Sequence, residues 1–172
     1  MSDSNDAERN LPLTGLPRLV SSSVQSGDLT SADADTIVVN LFQGVDRPGG
    51  ATGAVDEALG GAITELIEAG DISGKLGEVS VLYSASALPA RRVLVVGLGK
   101  QEGFDLEAVR RASARAALRA RELGSKRLAT IAHGGGVGGL NAGEAAQATL
   151  EGALLASYRF GGWRRDAAEA PQ

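Results

Sequence analysis

The sequence predicts a three-layer α/β/α domain, with a mixed, mostly parallel sheet and helices on both faces. Three observations lead there. Short β-branched runs alternate along the chain with longer segments of helical period. One run, Asp35-Thr36-Ile37-Val38-Val39-Asn40-Leu41-Phe42, is continuous rather than alternating, which fits a strand covered on both sides. The chain has 172 residues, enough for one core and not for two.

The elements follow in order. Residues 1–12 are polar and aperiodic and read as a loose tail, as do residues 164–172, where a linker would begin; 13–163 form the domain. A first strand is expected over 16–24 and a second over 35–42. A Gly/Pro-rich loop over 44–53 leads into a helix over 52–69. In that helix Val55, Ala58, Leu59, Ala62, Ile63, Leu66 and Ile67 form one apolar face. Gly70 is its left-handed stop, and Gly60 and Gly61 are read as places of close packing against the sheet. Strands over 78–85 and 91–97 come next. Asp105 is a good N-cap for a second helix, with Phe104 and Val109 placed as a hydrophobic staple. Its inner stripe is Leu106, Val109, Ser113, Ala116, Ala120 and Leu123, and Gly124 ends it. A fifth strand over 126–132 precedes a glycine-rich loop. Asn141 and Glu144 then have capping-box spacing for a last helix running to about Phe160.

Composition excludes several classes of function. The chain carries no cysteine and one histidine, His133, so disulfides, thiolate zinc sites, thiol catalysis and any intrachain site needing two imidazoles are ruled out. A net charge of −4 and six aromatic residues argue against a stacking platform for single-stranded nucleic acid. No apolar run approaches the roughly 20 residues of a membrane-spanning helix. The polar, acidic start lacks the features of a secretory signal, so a cytoplasmic location is expected.

Three glycine-rich stretches invite a phosphate reading. Gly97-Leu98-Gly99-Lys100 is not a nucleoside-triphosphate loop, because Leu94 stands where that pattern has its first glycine and Gln101 follows the lysine. It is not a dinucleotide fingerprint either, since Gly103 falls one residue late; a tight strand exit is the better reading. His133-Gly134-Gly135-Gly136-Val137-Gly138-Gly139 does contain the dinucleotide spacing at Gly134, Gly136 and Gly139. No later strand can carry the ribose-binding acid, however, and a flexible connector is favoured. Gly49-Gly50-Ala51-Thr52-Gly53 is weak alone. His133 reads as structural, Asp33 and Asp35 as turn or capping residues, and Ser84 and Ser86 as ordinary strand-end serines without a nucleophile elbow. Arg111, Arg115 and Arg119 lie at i, i+4 and i+8. Residues 105–127 hold seven basic and three acidic side chains, a local excess on an acidic domain that reads first as a solvated helix face.

Taken together, the segments resemble the N-terminal domain of the leucyl (cytosol) aminopeptidase family. The resemblance rests on Ala34-Asp35-Thr36-Ile37-Val38-Val39-Asn40-Leu41-Phe42, on Arg91-Arg92-Val93-Leu94-Val95-Val96-Gly97-Leu98-Gly99-Lys100, on Phe104-Asp105-Leu106-Glu107-Ala108-Val109-Arg110-Arg111-Ala112, and on Glu151-Gly152-Ala153-Leu154-Leu155-Ala156-Ser157-Tyr158-Arg159-Phe160. It implies a macro-domain-like fold at the front of a hexameric, two-domain metallopeptidase. The C-terminal catalytic domain would hold two divalent metals, manganese or zinc, and would be this domain's partner. The family's Asn-Thr-Asp-Ala-Glu-Gly-Arg metal signature does not occur in this sequence, so no catalytic or metal-ligating residue is carried over.

The same residues resemble true macro domains, which bind ADP-ribose. On that alternative Asp35 would accept from the adenine amine, Gly53 and Val55 would line the entry to the first helix, and the amides of Gly134, Gly136 and Gly139 would hold the diphosphate. Asn40 comes one residue late for that pattern, and the loop lacks the usual Ser/Thr-Gly-Ile-aromatic-Gly sequence. A third reading is a nucleic-acid or partner-binding module working through the Arg111/Arg115/Arg119 face, against which the acidic net charge and the lack of a reading motif argue.

Overall fold

The computed structural model describes residues 20–136 and 138–157. Four strands, β1 (Thr36–Phe42), β2 (Val79–Tyr83), β3 (Arg92–Gly99) and β4 (Leu128–Thr130), form one sheet in the order β2-β3-β1-β4. The β1–β3 and β1–β4 pairs are parallel and β2–β3 is antiparallel, so the sheet is mixed with parallel pairing at its centre. Helices α1 (Gly50–Ala58) and α2 (Ala62–Glu68) cover one face; α3 (Leu106–Glu122) covers the other, with α4 (Ala142–Ser157) packed on α3. A 3-10 turn, Leu29–Ser31, precedes the sheet.

The unbroken apolar run of β1 is explained by what lies on each side. Ile37, Val39 and Leu41 join Val55, Ile63, Val93 and Val95 in one core. Val38 and Phe42 join Leu94, Val96, Ala112, Ala116 and Ala120 in the other. Alternate side chains therefore feed two cores, and neither set can be polar. The inner stripe of α3 is built from small residues, and Ala145, Ala148, Thr149 and Gly152 of α4 are buried against it. At Gly152 even a methyl group would run into the Arg110 carbonyl, so the two helices touch backbone to backbone.

Five sequence expectations are corrected by the structure. Residues 20–24 of the expected first strand are exposed and irregular, because Ser21, Ser22 and Ser23 give that stretch little to bury; 16–19 lie outside the described residues, as does Phe160. The single helix over 52–69 is two helices. Gly60 (φ +70°) and Gly61 (φ +91°) are left-handed, which an L side chain resists. Nothing stands within 4 Å of where their side chains would be, so they serve the turn and not close packing on the sheet. The buried Asp56 carboxylate completes the break, accepting from the amides of Ile63 (2.7 Å) and Thr64 (3.1 Å) and from the Thr64 hydroxyl (2.5 Å). Finally, the fifth strand shrinks to the three residues of β4, and the strand expected over 78–85 stops at Tyr83. There Ala85 (φ +47°) and Ser86 (φ +73°) make a tight left-handed turn, closed by the Ala87 amide donating to the Ser84 carbonyl at 2.8 Å.

Gly70 and Gly124 are left-handed stops (φ +80° and +72°), and Asp105 caps α3 through the Ala108 amide at 2.8 Å, as the sequence indicates. Among the described residues no helix is long and apolar enough to cross a membrane. Replacing Asp56 by alanine removes the acceptor for two amides at the start of α2. A loss of about 2 kcal/mol in urea unfolding is expected, whereas Asp56→Asn, which keeps one oxygen, loses less than half of that. Equal losses in the two variants would show that the cap is not what Asp56 contributes.

Candidate functional site

In a sheet with this topology, ligands enter at the carboxyl ends of the parallel strands. Here that end is formed by the last residues of β1 and β3, the start of α1 and the loop over 131–141. The residues that face one another there are already joined. His133 is 1% exposed. Its Nδ1 lies 3.2 Å from the Asn40 amide nitrogen and its Nε2 lies 3.2 Å from the Thr130 hydroxyl. The His133 amide donates to Thr149 Oγ1 (3.2 Å), which in turn donates to the Ala145 carbonyl (2.8 Å). Ser113 reaches across from α3 to the Thr149 carbonyl at 2.5 Å. A chain of neutral polar contacts therefore ties β1, β4, α4 and α3 around one imidazole. Burial pushes the His133 pKa down to about 4, so the ring is neutral at physiological pH.

The glycines around this knot are shaped by packing. A side chain at Gly134 (φ +79°) would collide with the Phe104 ring, which stacks edge-on against Phe42 with centroids 4.8 Å apart. One at Gly138 would stand 2.7 Å from the Gly134 carbonyl. The Gly135 amide donates to the Ala132 carbonyl and the Gly139 amide to the Gly136 carbonyl. At the head of α4, Asn141 Oδ1 accepts from the Gly143 and Glu144 amides at 2.9 and 3.2 Å. Of the three loop amides the diphosphate reading names, that of Gly139 is thus taken up inside the loop, and the first amides of α4 are taken up by its Asn141 cap. Gly53 shares this end of the sheet in the first turn of α1, beside Thr52, whose hydroxyl donates to the Asn40 carbonyl at 2.8 Å. Val55 points into the core and is fully buried.

Asp35 lies at the other end. It precedes β1, and the length of that strand, about 20 Å, separates it from the glycine loop. Its carboxylate accepts from the Ser125 and Thr36 hydroxyls and from the amides of Lys126 (2.8 Å) and Arg127 (3.1 Å). Partial burial pushes its pKa up, but the Ser125 hydroxyl, the two amides and Thr36 outweigh this and bring it down to about 2. Asp35 therefore anchors the turn before β4. Asp33, its neighbour, pairs with Arg127 at 2.6 Å. The structure brings Gly53, Gly134, Gly136 and Gly139 to one end of the sheet and leaves Asp35 at the opposite one.

The remaining motifs resolve similarly. At Gly97 a side chain would strike the Lys75 carbonyl, and the Gly99 amide donates to the Gly74 carbonyl at 2.9 Å. This crossing is held by Glu78, which accepts from the Ser73 and Gly74 amides at 2.9 and 2.8 Å. The stretch is a tight strand exit. Ser84 is buried beside the turn that carries Ser86. On α3, Arg119 pairs with Glu122 (3.0 Å), Arg115 leans toward the Gly77 carbonyl (3.5 Å) and Arg111 is exposed. Arg110 binds Glu151 at 2.7 Å; there the Gln147 amide and the Arg110 guanidinium hold the Glu151 carboxyl below the usual range. Much of the basic excess is thus locally paired, although exposed pairs of this kind contribute little to stability. Among the described residues no group of three or more His, Asp or Glu could hold a metal, and the one histidine is engaged with Asn40 and Thr130.

A macro-domain-like α/β/α scaffold whose ligand end is filled by its own side chains is the class of protein these observations define. The solved structures agree on the fold. The Trypanosoma brucei macrodomain in complex with ADP-ribose superposes with a TM-score of 0.63 at 23% identity, over 76% of this chain and 54% of that one. The bottromycin maturation enzyme BotP superposes with a TM-score of 0.54 at 27% identity, over 77% of this chain and 25% of that one. Residues 38–167 match the cytosol aminopeptidase family, N-terminal domain, and the chain belongs to that family. A probable cytosol aminopeptidase of Roseiflexus castenholzii is 37% identical over 144 residues, which are 84% of this chain but 27% of the relative. The chain thus spans about a quarter of the length of that relative.

His133 and Asp35 separate in pH. His133 is neutral in the fold and titrates lower there than in the unfolded chain. Its stabilisation is complete above pH 6.5 and is lost as pH falls toward 4, by roughly 3 kcal/mol. The contribution of Asp35 is present above pH 3.8 and is lost toward pH 2. Urea unfolding across pH 7 to 4 is expected to show the first slope, and His133→Gln to flatten it at lower overall stability. A variant profile that runs parallel to the parent profile would rule out His133 as the titrating group.

Proposed function

We propose that this chain is the non-catalytic N-terminal domain of a cytoplasmic leucyl aminopeptidase, supporting assembly and subunit contacts. The catalytic chemistry belongs to a following domain that binds two divalent metals, manganese or zinc, and releases N-terminal amino acids from peptides as part of a hexamer. One observation carries the reading: the matched family unit is an N-terminal domain, and 84% of this chain aligns with only 27% of the relative. The geometry supports it. Peptide hydrolysis of this kind needs an open metal site to activate water and polarise the carbonyl, and the residues at the ligand end are engaged with one another instead.

Two measurements test this. With leucine p-nitroanilide and added manganese or zinc, the chain alone is expected to give no turnover above blank; clear turnover would overturn the non-catalytic assignment. Calorimetry with ADP-ribose at high micromolar concentration is expected to show no heat, because Asp35 and the glycine loop lie at opposite ends of the sheet. Saturable binding would favour the macro-domain reading over the one proposed.

A further inference from the structure

Among the described residues, the second half of α4 leaves three leucines exposed. Leu150, Leu154 and Leu155 are 38%, 37% and 74% exposed. The face of α4 formed by Ala145, Ala148, Thr149 and Gly152 is buried on α3; Leu150 and Leu154, at i and i+4, lie on the opposite side and Leu155 on its flank. Single exposed leucines are ordinary, but three within two turns of one helix need an account. Their position supplies it. Helix α4 starts beside the carboxyl end of the sheet and runs back along α3, and Arg121 of α3 donates to the Ala156 carbonyl at 3.2 Å. The leucines therefore sit on a fixed support in the last turns of α4, which ends at Ser157, ten residues before the family match ends at residue 167. In the longer relatives, the matched unit is the N-terminal domain and the remaining length follows it. A domain tethered at this point is held near the patch at high effective concentration.

We infer that Leu150, Leu154 and Leu155 seat the domain that follows this one in the longer family members, through an apolar surface of that domain. The inference rests on the reading under Proposed function that this chain works as the front part of a longer enzyme. The absence of cysteine makes a direct test possible, since Leu154→Cys gives the chain a single thiol. The full chain carrying that change is compared, alone and fused ahead of the C-terminal part of the Roseiflexus castenholzii relative, by maleimide labelling read at that peptide by mass spectrometry. Glu102→Cys, on the exposed loop before α3, is the control. Labelling at 154 is expected to slow at least tenfold in the fusion, with no change at 102. Equal labelling at 154 in a fusion that melts as one unit would overturn the docking site and leave the proposed function standing. Two independent melting transitions with no protection would overturn both. Concentration-dependent protection in the lone chain would assign the patch to a second copy instead.

Discussion

Strand β1 is the constraint on which the rest depends. It is central, parallel to both neighbours and buried on both faces, so its polar ends must be satisfied by protein rather than by water. The chain meets that demand at each end with one side chain. At the start, Asp35 gathers hydroxyls and amides from the α3–β4 turn. At the finish, Asn40 meets the buried imidazole of His133. Both clamps bring β4 alongside β1, and between them they leave room for only three paired residues.

That arrangement bears on what the domain can do. In sheets with parallel strands a ligand site lies at the carboxyl ends of those strands. In this chain the same region is closed by the Asn40, His133, Thr130 and Thr149 contacts and by Phe104 lying against Gly134. The fold is shared with a macrodomain solved in complex with ADP-ribose, but at this end His133 and Gly134 are buried while Gly135, Gly136 and Gly139 stay exposed. A fold by itself does not assign an activity.

Much of the fold was legible in the sequence because its signals were local. The two-faced run of β1, the periodicity of α3 with its Asp105 cap, and the glycine stops at 70 and 124 each depend on residues within a few positions of one another. What escaped was set by distance. The apolar series from Val55 to Ile67 continues in phase across the Gly60–Gly61 turn, so periodicity masked the break, and only the Asp56 cap reveals why α2 restarts. The Asn40–His133 pair spans 93 residues, and no local pattern announces it. His133 was readable as structural by elimination, but its partners were not. Asp35 was legible as a capping residue. Its alternative role needs one ligand to reach both Asp35 and the glycine loop, and the length of β1 lies between them.

The close approach at Gly152 has a mechanical consequence. Two helices joined backbone to backbone, without long side chains between them to slide or rotate, behave as one stiff strut. Load applied beyond Ser157 would reach the sheet as shear along α3 rather than being absorbed by bending.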